Sequence, residues 1–562
     1  MNTLSYKGLM AAAALLAATS CSDFSDYNDT PVSDVQQADR TLWENISQND
    51  QLSDFATLVK KAGFDDELSQ PHYYTVWAPL NGTYDASSLM SADSATVLYQ
   101  FVKSHIAEYN HGISGPVDER IHALNRKSFA FEGDGQYTYA GQTLRQLNLP
   151  NSNGIMHLLD GAARFYPNLY EYLFSCEGID SVATFFKRYE TSVLDTKNSV
   201  LGPTINGKQT YIDSVMITSN SLLNRIKAKL DKEDSTYTML VPTNEAWQAH
   251  YDKISKCYNY INTTVAQNID EATSTSNAPT ASVTVDAAYT KDSLTRLHLV
   301  SDLVYNNNNY YNNWLIDDTV EPYDTLYSTT YGYMTNPQEI MSRVIDRETM
   351  SNGTFCLVDS LAFRPWESWC YSLGQSPLNS RTWTGSNTIV YIDNTLFDAI
   401  KYVPKNPAQK QLGYLWVTPL SNYGKPQLDV KLRNVLSTTY NIYIVLAPGQ
   451  DVGEDADGNK FLKPNMLDFT LSYCDAKGKL ATQKLNQKVV NDPTRVDTLA
   501  VGTFTFPVAY AGLGDNVYPN LKITTDFGVF DKAKMAAYTR DFSIISILMR
   551  PVELEEFEAT KE

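Results

Sequence analysis

The chain has 562 residues, 43% hydrophobic and 19% charged, which predicts several folded domains rather than one core. The formal net charge of −19 argues against nucleic acid and anionic lipid as direct partners, because both need a basic protein surface. The 37 tyrosines are unusual, and an aromatic-rich surface is one way to use them.

The first residues have the pattern of an export signal. Lys7 precedes an apolar run over residues 8–18 that is too short to span a membrane as a helix. Residues 18–21, Ala-Thr-Ser-Cys, resemble a bacterial lipobox. The resemblance implies that residues 1–20 are a lipoprotein signal peptide and that the sulfur of Cys21 carries lipid. The alternative is an ordinary secretory signal followed by a coincidental cysteine.

Residues 21–39 are polar and lack an apolar period, so they are predicted to be a tether. Asp23 and Asp26, close behind Cys21, resemble the surface-export signal of certain Gram-negative bacteria. We therefore expect a protein that is lipid-anchored in the outer membrane and faces the cell exterior.

The next stretch predicts a mixed α/β domain. Apolar residues at helical spacing over 42–59 end at Gly63, a plausible C-cap, and residues 95–108 predict a further helix. Residues 129–139 alternate around Gly133-Asp-Gly135, which predicts a hairpin. Residues 155–159 are predicted to be a closing strand.

Two segments of the chain repeat one another. Residues 74–84, Tyr-Thr-Val-Trp-Ala-Pro-Leu-Asn-Gly-Thr-Tyr, match residues 237–247, Tyr-Thr-Met-Leu-Val-Pro-Thr-Asn-Glu-Ala-Trp. Each is an apolar, β-prone run that ends at a proline and is followed by a turn-forming or capping asparagine. Three flanking blocks match in the same order, 42–60 with 169–187, 101–106 with 294–299, and 153–160 with 352–359. An internal duplication explains this order, with extra residues in the second copy.

The four blocks resemble the fasciclin domain, over roughly residues 40–365. The resemblance implies two tandem domains and a role in adhesion or binding. It also implies that the residues matching the family motif have a structural or partner-contact role. These residues are Thr75, Pro79, Asn81, His105, His157 and Asp160 in the first copy, and Thr238, Pro242, Asn244, His298 and Asp359 in the second. Cys356 replaces the motif histidine in the second copy, and we expect the histidines to be packed, hydrogen-bonded core residues.

The second copy carries insertions, including residues 198–211 and a polar run over 273–284. It also has an asparagine run, 306–309, among tyrosines. Such a cluster can stack on sugar rings and hydrogen-bond to hydroxyls, and the alternative is a plain asparagine-rich turn. The candidate ligand contacts are Tyr305, Asn308, Tyr310 and Tyr311.

From about residue 385 the sequence predicts strands only. The candidates, separated by turn-rich spacers, are 412–417, 427–432, 440–446, 467–473, 499–506, 521–527 and 542–548. Their alternating pattern predicts an antiparallel β-sandwich. The predicted fold class is therefore α+β: two tandem fasciclin-like mixed α/β domains (40–165 and 166–368), a linker (369–384) and a C-terminal β-sandwich domain (385–562).

No motif for chemistry stands out. With Cys21 lipidated, five cysteines remain, which is not a disulfide framework, although a Cys356–Cys370 bond is conceivable. Zinc-binding spacings, a nucleophile elbow and a phosphate-binding loop are absent. The loop 451–459 lacks the acidic twelfth ligand of a calcium loop and is predicted to be a solvated hairpin turn. We therefore predict no metal and no cofactor.

Two functions remain open. The first is a non-enzymatic surface lipoprotein for adhesion or binding, whose partners are a surface glycan or an outer-membrane nutrient transporter complex. The second is a glycan-active hydrolase with a carboxylate pair in the C-terminal domain. Two carboxylates in one cleft would favour the hydrolase, and a surface lined by tyrosines would favour binding.

Overall fold

The computed structural model describes residues 39–561, except 198, 206, 214–215, 268–279, 318, 377, 379–382, 394–412, 515 and 526. The predicted signal peptide, the tether up to residue 38 and Cys21 lie outside the described residues. The chain divides into two compact units. The first runs to Ser175 and includes Leu230–Thr236 and Thr349–Thr354, and the second contains the remaining residues.

Helices at the start of the first unit follow the predicted apolar stripe. Thr41 caps the first helix through a reciprocal pair of bonds with Glu44, and the second helix ends before Gly63, which has a φ of 68°. The helical segments of this unit are Leu42–Ser47, Asp50–Leu52, Ser53–Lys61, Glu67–Ser69, Ala86–Ser91, Ser94–Thr96, Val97–Phe101, Val102–His105 and Leu169–Tyr172. The predicted helix 95–108 is wrong at its end, because Ile106–Glu108 is a strand paired with Tyr74–Val76.

A seven-stranded sheet forms the rest of the first unit. Its strands in spatial order are Ile106–Glu108, Tyr74–Pro79, Gly154–Leu159, Gln142–Asn151, Gln136–Tyr139, Ser128–Asp134 and Val117–His122. The strand Tyr74–Pro79 lies parallel to Gly154–Leu159, and all six residues of each are buried. The predicted closing strand and the hairpin around Gly133-Asp-Gly135 are confirmed.

Two apolar clusters cover opposite parts of this sheet. One packs the helices on Val76, Ala78 and Leu158, and the other packs the hairpin strands on Trp77. Trp77 stacks on Tyr139 with ring centroids 4.2 Å apart. Successive side chains of the strand Tyr74–Pro79 therefore pack into two different apolar clusters, one on each face of the sheet. This explains why the strand is apolar on both faces.

The chain after Ser175 begins with helices and a four-stranded sheet. Its helical segments are Asp180–Lys187, Ser221–Arg225, Asn244–Ser255, Ala287–Ser301, Asn313–Leu315, Pro337–Met341, Pro365–Ser368, Lys532–Ala537 and Val552–Ala559. The sheet order is Val304–Asn306, Tyr237–Pro242, Gly353–Val358 and Val344–Met350. This order repeats that of the first four strands of the seven-stranded sheet, with the matching strands in matching places.

The insertions of the second unit form hairpins. The paired strands are Glu190–Leu194 with Met216–Asn220, Val200–Ile205 with Lys208–Asp213, Thr263–Gln267 with Thr280–Thr284, and Leu326–Tyr327 with Tyr333–Met334. Residues 268–279 of the predicted polar run lie outside the described part. Ala266, on the third of these hairpins, is 1% exposed and belongs to the core of the C-terminal sheets.

Two antiparallel sheets form the C-terminal region. One has the order Thr388–Asp393, Tyr414–Pro419, Phe542–Pro551, Thr439–Leu446 and Asp497–Thr505, with Leu373–Gln375 also paired to Phe542–Pro551. The other has the order Trp383–Ser386, Gln427–Lys431, Asn520–Thr525, Met466–Cys474 and Leu480–Lys484, with Val489–Val490 paired to Met466–Cys474. Residues from both sheets share one apolar cluster.

All seven predicted C-terminal strands are present, although residues 412 and 526 lie outside the described part. The stretch 369–384, predicted to be a linker, already contributes Leu373–Gln375 and the start of Trp383–Ser386. The loop after Asp451 is the predicted hairpin turn, between Val452–Glu454 and Lys460–Leu462. Asp455 accepts backbone hydrogen bonds from Asp457 and Asn459 there.

Candidate functional site

The motif threonines anchor the loop that follows an edge strand. Thr75 is fully buried, donates to the carbonyl oxygen of Tyr109 (2.8 Å) and accepts from the backbone N–H of His111 (3.0 Å). Thr238 is 1% exposed and donates to Oδ1 of Asn307 (2.8 Å). Both side chains are buried and form hydrogen bonds within the fold, so neither is free to bind a ligand.

The motif asparagines after the prolines bind the start of a helix. Oδ1 of Asn81 accepts from the N–H of Asp54 (3.0 Å), and Oδ1 of Asn244 accepts from the N–H of Ser181 (2.9 Å). Pro79 and Pro242 end the two central strands. These residues stop each strand and cap a helix, which is a structural role.

An asparagine and a glycine at the start of the first closing strand each have a structural role. Oδ1 of Asn153 accepts from the N–H of Leu42 (2.8 Å), and its Nδ2 donates to the carbonyls of Leu68 and Gln70 (2.9 and 2.7 Å). A Cβ on Gly154 would lie 2.1 Å from the carbonyl oxygen of Tyr74, so no side chain fits there.

Asn352 repeats this set of bonds. Its Oδ1 accepts from the N–H of Leu169 (2.9 Å), and its Nδ2 donates to the carbonyls of Leu230 and Lys232 (both 2.8 Å). The partners of Asn352 correspond to those of Asn153 in kind and in order. In both copies the first partner is an N–H group at the start of a helix, and the other two are carbonyl groups shortly before a central strand.

Five tyrosine rings form one connected patch in the second unit. We call it the tyrosine surface, and its residues are Tyr310, Tyr311, Tyr323, Tyr327 and Tyr333. Neighbouring ring centroids are 5.0 to 5.9 Å apart. Tyr310 is 65% exposed, Tyr311 40% and Tyr333 45%. Large exposed aromatic patches are uncommon on soluble proteins unless they bind something.

A buried asparagine holds the loop that carries two of these rings. Nδ2 of Asn312 donates to the carbonyls of Asn306 (3.1 Å) and Tyr327 (2.8 Å), and its Oδ1 accepts from the N–H of Tyr327 (3.0 Å). The side chain is fully buried. The loop is therefore fixed to the strand that carries Tyr327, and the rings are held in place before any ligand arrives.

The predicted ligand contacts are partly corrected. Asn308, Tyr310 and Tyr311 are exposed, but Tyr305 is fully buried in an edge strand and cannot touch a ligand. The prediction was wrong for Tyr305 because this residue lies inside the strand Val304–Asn306, and the exposed loop begins only after Asn306. The sequence also missed Tyr323, Tyr327 and Tyr333, which lie beyond the loop and join it only through tertiary contacts.

A polar cleft of about 460 Å³ opens beside the C-terminal sheets. Its lining includes Trp416, Asp451, Asn465, Arg540 and Asp541. Burial raises the pKa of Asp541, and the charge of Asp451 adds to that rise. Two carboxylates thus share one cleft, which no sequence signal indicated because the two aspartates are far apart in the chain.

Arg540 is fixed at the wall of this cleft. Its Nη1 donates to the carbonyls of Asn422 (3.2 Å) and Gly424 (2.6 Å), and its side chain is 7% exposed. Nδ2 of Asn465 donates to the carbonyl of Asp541 (2.6 Å), which holds the backbone next to the arginine. Fixed donors and acceptors beside an indole ring suit a polyhydroxylated ligand.

Within the described residues, no group of three or more histidine, cysteine, aspartate or glutamate side chains is placed to hold a metal ion. No helix in that part of the chain is long and apolar enough to cross a membrane.

The motif geometry of the first unit agrees with a family match. Residues 50–162 match the model of the fasciclin domain. Residues 50–162 form a fasciclin domain.

Solved structures with similarity to the chain include two binding proteins. One is a FAS1 domain pair from the insect cell adhesion molecule Fasciclin I, with 13% identity, a TM-score of 0.20, and coverage of 58% of this chain and 99% of that one. Another is the CBM22-1 xylan-binding domain of Paenibacillus barcinonensis Xyn10C, with 16% identity, a TM-score of 0.19, and coverage of 32% and 93%. No curated protein matches the chain.

Both motif histidines of the fasciclin domain are fully buried. Nδ1 of His105 donates to the carbonyl of Phe101 (2.7 Å), and its Nε2 accepts from the N–H of Ala163 (2.9 Å). Nε2 of His157 lies 3.2 Å from the carbonyl of His111. These contacts are those of packed, hydrogen-bonded core histidines, as expected. Cys356, which replaces the motif histidine in the second unit, is likewise fully buried.

The predicted equivalence of His105 and His298 is wrong. In the fasciclin domain Val76 pairs with Ile106, whereas in the second unit Met239 pairs with Val304. The residue before the edge strand is therefore His105 in one sheet and Leu303 in the other. His298 lies earlier, inside the helix Ala287–Ser301, and stacks on Tyr258. A short Leu-x-x-x-His spacing recurs easily in amphipathic helices, which explains the mismatch.

The motif aspartates differ between the two copies. Asp160 pairs with Arg145 at the end of the fasciclin domain. Asp359 is exposed and accepts a hydrogen bond from Ser360 (3.0 Å). A common ligand role for both aspartates is not supported by these surroundings.

Burial of His105 predicts a loss of stability in acid. Burial lowers its pKa to about 4, against about 6.5 for an exposed histidine. The unfolded chain therefore binds the proton first, and the free energy of unfolding falls as the pH drops from about 6.5 toward 4. The contribution of one such histidine is about 1.4 kcal/mol per pH unit in that window. Urea unfolding at pH 7.0, 5.5 and 4.5 measures it.

A His105→Gln variant isolates this effect. Glutamine can still donate to the carbonyl of Phe101 and accept from Ala163, but it does not titrate. We expect a shallower pH dependence than in the natural protein, whatever the stability at pH 7. The matched control is His122→Gln at an exposed position, which should leave the slope unchanged. Equal slopes for the natural protein and His105→Gln would contradict the prediction.

Proposed function

We propose that this protein is a lipid-anchored binding protein of the outer-membrane surface, acting in adhesion or in capture of a glycan. Fasciclin domains generally act in adhesion, and the sequence around Cys21 supports an anchor. An accessory role beside an outer-membrane nutrient transporter fits the same features. A mature protein that still begins at Met1 would overturn the anchored part of the proposal.

We further propose that the region 166–368 is a second fasciclin-like domain. Its central sheet has the strand order of the fasciclin domain. Asn352 makes the three hydrogen bonds that Asn153 makes, and Asn244 repeats the helix-capping bond of Asn81. Buried side-chain bonds of this kind persist when surface residues have diverged, because each loss would strand a buried backbone group.

The C-terminal region is, in the same proposal, a β-sandwich. Two antiparallel sheets with alternating inward residues share one apolar cluster, as two packed sheets do. Such a body offers rigid edges and loops on which a binding site can be placed.

The observation that carries the binding proposal is the tyrosine surface. Three of its residues, Tyr310, Tyr311 and Tyr333, are exposed. A tyrosine ring can contact the C–H face of a sugar, and its hydroxyl can form hydrogen bonds with the hydroxyls of the sugar. Burial raises the pKa of Tyr333, and the charges of Asp324 and Glu367 add to that rise. Negative charges near the tyrosine surface disfavour an anionic ligand there. A neutral glycan is therefore the ligand class that fits best.

Removing two rings is the direct test. We expect a Tyr310→Ala/Tyr311→Ala variant to lose tenfold or more in affinity for a neutral glycan, because each stacked ring contributes on the order of 1 kcal/mol. The probe is first chosen on a glycan array with the purified full chain, and affinity is then measured by calorimetry. The matched control is Tyr289→Ala, which removes a ring that is 71% exposed and lies outside the tyrosine surface. Equal affinities for both variants would refute the proposed surface.

A second candidate function has its own supporting observation. Asp451 and Asp541 line one cleft, and burial raises the pKa of Asp541, as expected for a general acid in glycoside hydrolysis. The glycans used in the binding test can also be assayed for release of reducing ends. Release that disappears in Asp541→Asn would favour a hydrolase, whereas binding without release would favour the proposed binding protein.

A further inference from the structure

Two cysteines meet in the second unit, although they are far apart in the sequence. Cys257 follows the helix Asn244–Ser255, and Cys370 follows the helix Pro365–Ser368. Both cysteines line the same cleft, and each thiol shifts the pKa of the other. The pairing that the sequence left conceivable, Cys356 with Cys370, is therefore not the one that the fold brings together.

The backbone on both sides is held in place. The N–H of Cys257 donates to the carbonyl of Ile254 (2.9 Å), and the N–H of Cys370 donates to the carbonyl of Pro365 (2.7 Å). The neighbouring side chains Tyr258 and Trp369 are 1% and 3% exposed. Packed structure therefore holds the backbone that carries each of the two cysteines at the cleft.

Solvent reaches the pair from one side. Both cysteines line a cleft of about 580 Å³, together with Lys253, Lys256 and Glu553. Cys370 is 3% exposed, whereas Cys257 is partly exposed. A small reagent that enters the cleft can therefore approach Cys257 before Cys370.

The surroundings also divide the roles of the two sulfurs. The neighbouring thiol of Cys370 lowers the pKa of Cys257. Trp369 and the charge of Lys256 act in the same direction, against burial and Glu553. The neighbouring thiol of Cys257 and burial raise the pKa of Cys370. Cys257 thus has the greater thiolate character and Cys370 stays protonated, the arrangement of an attacking thiol with a resolving partner.

We propose that Cys257 and Cys370 form an intramolecular disulfide by exchange with a soluble disulfide such as glutathione disulfide. The thiolate of Cys257 attacks one sulfur of the reagent, which gives a mixed disulfide and releases one glutathione thiolate. Cys370 then loses its proton and attacks the sulfur of Cys257, and the second glutathione leaves as a thiolate. The two protein thiols are oxidised, and glutathione disulfide is reduced to two molecules of glutathione. The two protons lost by the protein thiols are taken up by the two glutathione thiolates.

The bond would join two parts of the second unit. Cys370 lies three residues before Leu373–Gln375, which pairs with the C-terminal strand Phe542–Pro551, whereas Cys257 belongs to the helical part before residue 368. The closed loop is long, and cross-linking a long loop restricts the unfolded chain strongly. The inference is independent of the proposed function, because it depends only on the two thiols and their cleft.

The test is to treat the purified full chain with glutathione disulfide, block the remaining thiols with iodoacetamide, and map linked peptides by mass spectrometry without reductant. With the chain unfolded in urea during the alkylation, we expect one linked pair, Cys257 with Cys370, and carbamidomethyl groups on Cys176, Cys356 and Cys474. The melting temperature should rise by about 5 °C on oxidation and return on addition of dithiothreitol. Cys257→Ser should remove both the linked peptide and the shift, whereas Cys176→Ser should keep them.

Three outcomes would overturn the proposal. They are the absence of the linked peptide after prolonged oxidation, a stable glutathione adduct on Cys257 with Cys370 still alkylated, and a Cys356–Cys370 link in its place. Peptide mapping of the oxidised natural protein tests the Cys257–Cys370 bond even if a serine variant folds poorly.

Discussion

An Asn153→Ala variant is expected to lose about 3–5 kcal/mol of unfolding free energy, because two buried backbone groups and one part-buried backbone group lose their partner at once. The N–H of Leu42 loses its acceptor, and the carbonyls of Leu68 and Gln70 lose their donors. The bonds to Leu42 and Leu68 are buried, so these two groups would be left without a partner in the packed interior. Urea unfolding followed by tryptophan fluorescence measures the change.

The same substitution at Asn352 tests the duplication. Asn352 has the same number and kind of partners and is fully buried, so Asn352→Ala should cost a similar amount. The matched control is Asn308→Ala at an exposed position, for which we expect less than about 0.5 kcal/mol. A large loss at Asn153 with a negligible one at Asn352 would argue against equivalent roles.

Loss of the ammonium group of Lys127 is the second large expected effect. Its Nζ lies 2.6 Å from Glu171 and 3.0 Å from Glu233, and the lysine side chain is 3% exposed. Glu233 is 8% exposed and also accepts from Ser351 (2.9 Å). Lys127→Met keeps the apolar stem but leaves a buried carboxylate without its cation, which costs about 3–5 kcal/mol. Chemical denaturation at pH 7 measures this loss.

Two further variants separate charge from packing. Lys187→Met breaks an ion pair with Glu190 whose lysine is 62% exposed, so we expect about 0–1 kcal/mol. Adding Glu233→Gln to Lys127→Met removes the unpaired charge and should recover part of the stability. If the double variant were no more stable than Lys127→Met, the loss would stem from packing and not from the buried charge.

Local sequence patterns were sufficient for the strands. The runs that end at Pro79 and Pro242 are buried central strands, and the alternating segments after residue 412 are strands of two antiparallel sheets. In both cases the signal is short-range. A strand buried on both faces must be apolar throughout, and a strand buried on one face must alternate.

Long-range pairing was beyond the same reasoning. Ile106–Glu108 continues an apolar helical stripe in the sequence, but it is the edge partner of a central strand, and tertiary pairing overrides the local pattern. Leu303 is the residue that corresponds to His105, and only the register of the paired strands in the two sheets shows this. The same holds for the hairpin Thr263–Gln267 with Thr280–Thr284, whose polar sequence hides a contribution to the C-terminal core.

The amino-acid sequence alone determined that the chain contains a duplicated strand motif, a fasciclin-like first domain and a β-rich end, because these depend on residues close in the chain. The folded chain decided that Tyr310 and Tyr333 share a surface, that Asp451 and Asp541 share a cleft and that the thiol next to Cys370 is Cys257. Neighbours of this kind are brought together by sheet register and loop closure, which no local pattern encodes.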